Sequence, residues 1–92
     1  MNPEKQQFLN LKVYPARLTY EEAGWLLGFH AHDIPILLRH KLLKALGNPR
    51  ANCTRYLSAV EIERLRSDPR WLARASDTIY WHWRQRTEGP EA

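Results

Sequence analysis

Histidines and one cysteine are the side chains of this chain best suited to ligate a metal or to act as nucleophiles. His30, His32 and His40 lie close enough in sequence to meet around a turn. No cysteine or carboxylate spacing of a known zinc site accompanies them, so we expect exposed histidines and no metal. Cys53 lacks the partner residues of a catalytic thiol and is expected to pack as a small side chain.

The remaining chemistry-bearing patterns also argue against an enzyme. We find no glycine-rich loop of the kind that cradles a phosphate group, and no pair of residues arranged as a nucleophile with its base. A single cysteine excludes an internal disulfide. We therefore expect a binding protein without a cofactor and without a small-molecule substrate.

Positive charge is concentrated in one part of the chain. The formal net charge is +4, and no acidic residue occurs from Ile34 to Val60. The cations of this stretch are Arg39, Lys41, Lys44, Arg50 and Arg55. Such a surface suits an anionic partner such as nucleic acid, although charge alone leaves open that these residues merely solubilise the domain.

Length and composition predict one folded domain. The chain has 92 residues, of which 43% are hydrophobic and 11% aromatic, values typical of a globular protein. No apolar run approaches the roughly 18 to 20 residues of a membrane span. The polar start MNPEKQQ has the character of neither a signal peptide nor a transit peptide, so we expect a cytoplasmic protein.

The segment LTYEEAGWLLG, residues 18–28, predicts a helix with well-defined ends. Thr19 is a favourable N-cap, and Glu22 three positions later completes a capping box. Gly28 stands where a left-handed C-terminal cap is expected, and Gly24 would allow a second helix to approach closely. Both glycines thus have a structural explanation.

A second helix is predicted over residues 33–42 after a short turn. Asp33 can cap it, and Pro35 is tolerated because it falls in the first turn, where backbone N–H groups have no partner within the helix. The residues at helical spacing that would form its buried stripe are Ile34, Leu37, Leu38 and Leu42. This arrangement leaves Arg39 and Lys41 near solvent.

Turn residues and capping signals predict the rest of the order. Gly47-Asn48-Pro49 favours a hairpin that pairs residues 43–46 with residues 54–57. Ser58 with Glu61 predicts a capping box for a short helix, and Asp68-Pro69 predicts the start of a longer one. The apolar side of that longer helix is supplied by Trp71, Leu72, Ala75, Ile79 and Trp83.

The predicted order is that of a winged helix-turn-helix: a mainly α single domain with a small β-hairpin wing. Residues 1–16 are expected to be an N-terminal arm or short strand, because FLNLKV (residues 8–13) alternates apolar and polar side chains. Residues 17–66 would form the core of the fold, residues 67–86 a C-terminal helix and residues 87–92 a flexible tail.

From Arg17 to about Leu65 the chain resembles the DNA-binding domains of excisionases and MerR-type regulators, whose first helix typically begins Leu-Thr-x-Glu-Glu-Ala and ends Leu-Gly. The matching residues are Leu18, Thr19, Glu21, Glu22, Ala23, Leu27 and Gly28. The resemblance implies that the second helix enters the major groove of double-stranded DNA and that the wing contacts its backbone or minor groove. It further implies a small transcriptional regulator or an excisionase-like accessory factor.

The second helix departs from that family at the positions that would read bases. Asp33, Pro35 and Ile36 replace the polar or basic side chains usual there, and they offer little to a base edge. We therefore expect mostly phosphate contacts. The residues expected to contact DNA are His32, Arg39, Lys41, Lys44, Arg50, Asn52, Thr54 and Arg55.

The C-terminal helix and the apolar second helix together suggest an alternative function. Tyr80 and Trp81 cannot both face the core, because neighbours on a helix point about 100° apart. The helix could combine core and solvated faces, form a homodimer or another protein contact, or bind nucleic acid. The residues expected at a protein interface are Ile36, Tyr80, Trp81 and Arg84. The alternative function is accordingly a protein-protein interaction module on the same scaffold.

Overall fold

The computed structural model describes residues 2–47 and 53–88, which form a mostly helical domain with one small antiparallel sheet. A 3-10 turn, Ala31–Asp33, lies between the second and third helices. The described elements are α1 (Pro3–Leu9), β1 (Arg17–Leu18), α2 (Tyr20–Leu27), α3 (Ile34–Arg39), β2 (Leu57–Ser58), α4 (Ala59–Arg66) and α5 (Pro69–Glu88). The mainly α class with a small antiparallel pair of strands is confirmed. No helix in the described residues is long and apolar enough to span a membrane.

Residues 3–9 form helix α1 and residues 10–13 form no strand, so the predicted arm or short strand at residues 8–13 was wrong. The side chain of Asn2 accepts hydrogen bonds from the backbone N–H groups of Glu4 and Lys5, and Pro3 occupies the first turn. Phe8 is 6% exposed and its ring lies 4.9 Å from that of Tyr14. Capping and burial of this ring outweigh the local alternation of side chains.

Helix α2 has the predicted ends. Thr19 Oγ1 accepts from the backbone N–H of Glu22 at 3.1 Å, and a Glu22 carboxylate oxygen accepts from the N–H of Thr19 at 3.1 Å. Gly28 adopts φ +88°, the left-handed conformation that favours glycine. A Cβ at Gly24 would lie 2.5 Å from the carbonyl oxygen of Phe29. The close approach predicted at Gly24 is therefore made by the chain folding back after α2, and not by a second helix.

The two strands are not the ones that were predicted. β1 and β2 pair antiparallel, with Arg17 opposite Ser58 and Leu18 opposite Leu57, and both leucines are buried. Between the described residues of the expected hairpin, 43–46 and 54–57, the Leu46 N–H donates to the Tyr56 carbonyl at 2.9 Å, but no strand pairing is formed. Burial of the leucine pair favours the non-local pairing over the local turn signal.

The core lies between α2, α4 and the helices that cross them. Its largest fully buried side chains are Leu18, Ile34, Leu37, Leu57 and Ile62. Asp68 caps α5 as predicted, because its carboxylate accepts from the Trp71 N–H at 3.1 Å. Ser58 caps α4 by accepting from the Glu61 N–H at 3.3 Å, while the Glu61 carboxylate pairs with Arg64. These caps fix where the last two helices begin.

Candidate nucleic-acid interface

Helix α3, which would be the reading helix of a helix-turn-helix, has almost no free surface. Of its six residues, all of which the structure describes, Arg39 alone is exposed. Pro35 is half-buried, and Ile36 is 4% exposed. The expectation that Ile36 lies at a protein interface is therefore wrong for this structure, and α3 presents no apolar face to a partner.

Helix α5 lies over α3 and is held there by hydrogen bonds from two indole N–H groups. The Trp71 Nε1–H donates to the Leu42 carbonyl at 2.9 Å, just beyond the C-terminal end of α3. The Trp83 Nε1–H donates to Asp33 Oδ1 at 3.0 Å, just before its N-terminal end. With these two bonds, α5 runs antiparallel along α3.

Asp33 was predicted to cap α3, but its side chain instead binds α5. It is 4% exposed, and its Oδ2 accepts from the backbone N–H of His30 at 3.1 Å while its Oδ1 accepts from Trp83. No backbone N–H of α3 donates to its side chain. A buried carboxylate needs such donors, because its desolvation would otherwise cost several kcal/mol. Asp33 is thus a structural link between the turn and the C-terminal helix.

His30 and His32 form a cluster of rings with Trp83 at the same place. The rings of His30 and His32 stack with centroids 5.1 Å apart, and the Trp83 ring meets that of His32 edge-on at 5.5 Å. Within the part of the chain that the structure describes, no group of three or more His, Cys, Asp or Glu residues is placed to hold a metal ion. Cys53 is exposed, so the expectation that it packs as a small side chain was wrong.

Three of the predicted DNA-binding cations meet at one groove, which we call the cationic groove. It is lined by Leu38, Lys41, Leu43, Lys44, Ala45, Gly47 and Arg55, and its volume is about 510 Å³. No acidic residue is among these lining residues. The groove forms where the chain leaving α3 passes beside the residues before β2, which is why cations separated in sequence share one surface.

Lys41 reaches the groove from a backbone conformation that non-glycine residues rarely adopt. Its φ is +62°, in the left-handed region, and it directly follows the last turn of α3. The N–H groups of Leu42 and Leu43 both donate to the Leu37 carbonyl, at 2.9 and 3.3 Å, which holds this reversal. Glycine is the usual residue at such a helix end, so the lysine is kept there at a cost in stability.

Replacing Lys41 by glycine is expected to raise the free energy of unfolding by about 0.5–1 kcal/mol, because relief of the left-handed strain exceeds the entropy cost of glycine. Urea denaturation of the two proteins measures the difference. Lys44→Gly is the matched control: its backbone φ is not positive, so this change is expected to destabilise the domain. Equal destabilisation by both changes would contradict the account of Lys41.

The remaining predicted contacts are not all brought to the groove. Arg39 and Thr54 are exposed, and Arg39 lies at the groove end of the helix. His32 lies at the opposite end, against Trp83, and is not brought to the groove. Arg50 and Asn52 lie outside the described residues. The apolar lining by Leu38, Leu43 and Ala45 was not predicted, because no local pattern marks a groove formed by distant residues.

The interface residues predicted on α5 are exposed together. Tyr80 is 52% and Trp81 55% exposed, and Arg84 is exposed beside them. The described surface thus offers a cationic groove beside the end of α3 and an aromatic cluster on α5, while α3 itself is covered.

No family model matches this chain, and no curated protein or solved structure matches it either.

Proposed function

We propose that this chain binds double-stranded DNA, mostly through its phosphate backbone, and that it has no enzymatic activity. The observation that carries the proposal is the cationic groove, in which Lys41, Lys44 and Arg55 converge without an acidic residue among the lining residues. A phosphate chain presents regularly spaced negative charges, and cations that neutralise them release bound counterions, which favours binding.

The groove cations are available for such contacts. Arg64 and Arg66 form ion pairs with Glu61 and Glu63 on α4. By contrast, no ion pair among the described residues involves Lys41, Lys44 or Arg55. A phosphate therefore does not have to displace a carboxylate from any of the three. Arg39, exposed at the same end of α3, extends this positive surface.

The covered second helix supports binding that is indifferent to base sequence. Direct readout requires side chains that reach base edges in the major groove, and α3 exposes Arg39 alone. Contacts to phosphates position a protein on the duplex without reporting its sequence. Sequence preference would then arise only from the shape and deformability of the DNA.

The order of the helices supports a variant of the helix-turn-helix in which the strand before α4 pairs with β1 instead of forming a wing hairpin. Helix α2, a tight turn, α3, a strand and α4 follow one another as in that fold, and α5 is an addition that covers α3. We propose a cytoplasmic accessory factor or regulator of the excisionase-like kind, which acts on DNA by coating or shaping it. The alternative of a protein-interaction module built on an exposed apolar α3 has no support, because Ile36 is buried.

Binding to duplexes of equal length and unrelated sequence is expected to differ by less than about threefold, because phosphate contacts carry little sequence information. Fluorescence anisotropy with labelled duplexes of about 20 base pairs measures this directly. A scrambled-sequence competitor should displace the label as efficiently as the identical sequence does. A preference of a hundredfold or more for one sequence would contradict backbone binding and would require a reading surface other than α3.

A further inference from the structure

The outward face of α5 carries a cluster of polar and aromatic side chains. Consecutive residues of an α-helix are rotated by about 100° around its axis. Residues three, four and seven positions apart therefore lie on one side of α5, as Asp77, Tyr80, Trp81 and Arg84 do. The opposite side carries Trp71 and the other apolar residues that pack on the core. All four residues of the outward group are exposed. We call these four residues the α5 patch.

The α5 patch is already ordered within one molecule. The Tyr80 and Trp81 rings meet edge to face with centroids 5.2 Å apart. Arg84 donates to the Tyr80 hydroxyl at 2.6 Å, and its guanidinium carbon lies 5.7 Å from the Tyr80 ring centre and 5.9 Å from that of Trp81. Trp, Tyr and Arg are the residues that most often dominate binding energy at protein interfaces, and an ordered cluster loses less entropy on association.

The α5 patch is also complementary to itself. Asp77 and Arg84 lie at equal distances in sequence on either side of the midpoint between Tyr80 and Trp81. If two α5 helices pack antiparallel with a two-fold axis at that midpoint, Asp77 of each copy lies opposite Arg84 of the other. The same axis sets Tyr80 of each copy against Trp81 of the other. Each favourable contact is therefore made twice, as in an isologous interface.

We propose that two copies of this chain associate through the α5 patch, antiparallel, with Asp77–Arg84 ion pairs flanking a central cluster of Tyr80 and Trp81. A guanidinium has five N–H donors, so Arg84 can keep its contacts within one molecule and also donate to the carboxylate of a second copy. Within the described residues Asp77 has no ion-pair partner. Its negative charge amid the patch disfavours a phosphate chain there and favours a surface that presents an arginine.

Charge reversal tests the register of this dimer. Asp77→Arg alone sets arginine against arginine, and Arg84→Asp alone sets aspartate against aspartate. Each is expected to raise the dimer dissociation constant by about 30-fold or more, because two ion pairs become two repulsions. The double variant Asp77→Arg/Arg84→Asp restores opposite charges in the same geometry. It is expected to dimerise at least about tenfold more tightly than either single variant.

Sedimentation velocity over a concentration series of the full chain, without DNA, gives these constants. Because no DNA is present, the result does not depend on whether the proposed DNA binding is correct. Trp81→Ala removes an indole from the centre of the patch and should weaken the dimer. Two exposed controls elsewhere should leave it unchanged: Lys12→Asp, which reverses a positive charge as Arg84→Asp does, and Val60→Ala, which shortens an apolar side chain. A chain that stays monomeric up to about 500 μM, a double variant no tighter than the single variants, or a Trp81→Ala protein that dimerises normally would overturn the proposal.

Discussion

A variant in which Lys41, Lys44 and Arg55 are all replaced by alanine is expected to bind duplex DNA about 100- to 1,000-fold more weakly than the intact chain at low salt. Each of these side chains lines the cationic groove, and each lost charged contact to a phosphate lowers affinity by up to about tenfold. Fluorescence anisotropy with a random duplex measures the loss. Circular dichroism checks that the fold is kept, since all three side chains are exposed.

The matched control removes the same charge from elsewhere. Replacing Lys5, Lys12 and Arg64 by alanine also takes three positive charges from the formal net charge of +4, leaving +1 in both variants. All three are exposed, and none lines the cationic groove. If binding depends on the groove, the control should lose less than about tenfold. Equal losses would mean that DNA senses only the total charge of the domain.

The second large effect is expected at Asp33. Replacing it by alanine should lower the free energy of unfolding by about 2–4 kcal/mol, because two hydrogen bonds to a buried carboxylate would be lost, one from the His30 N–H and one from the Trp83 indole N–H. For a domain of this size the loss is a large part of the total stability. Urea denaturation followed by tryptophan fluorescence measures it, and Asp77→Ala on the exposed side of α5 is the control.

A double-mutant cycle identifies which bond is responsible. Trp83→Phe removes the indole donor, and its combination with Asp33→Ala should cost less than the sum of the two single changes. The expected coupling is about 1–2 kcal/mol if the two side chains are bonded across α3 and α5. Additive losses would show that Asp33 stabilises the fold through the turn residues His30 and His32 alone, and that α5 is held over α3 by other contacts.

The two ends of α2 and the start of α5 were the most predictable parts of the fold, because their signals are local. Thr19, Gly28 and Asp68 perform the capping roles that residue type and spacing indicate. Helix α1 was missed although Asn2-Pro3 is itself a capping signal. Helix α1 packs on the domain because the Phe8 ring contacts the rings of Tyr14 and Trp25. The alternation of apolar and polar side chains in FLNLKV does not indicate that packing.

The candidate site was less predictable because distant residues form it. That α3 lacks base-reading side chains follows from Asp33, Pro35 and Ile36 in the sequence. The covering of α3 by α5 could not be predicted in this way, because its two hydrogen bonds join distant residues. Trp71 and Leu42 are 29 positions apart, and Trp83 and Asp33 are 50 positions apart. Likewise, the stretch from Ile34 to Val60, which has no acidic residue, predicted a positive surface. The groove, however, forms only because the fold brings Arg55 to the same surface as Lys41. Local patterns carry no information about such approaches.

The dependence of DNA affinity on salt tests the central claim most directly. For a random duplex titrated between about 20 and 200 mM salt, a plot of log association constant against log salt concentration should be linear. Three to five phosphate contacts from the groove and its neighbours predict a slope of about −3 to −5. For the variant in which Lys41, Lys44 and Arg55 are replaced by alanine, here called the groove variant, the slope should be closer to zero by about 3. No detectable binding at the lowest salt, or a slope unchanged by the groove variant, would contradict the account.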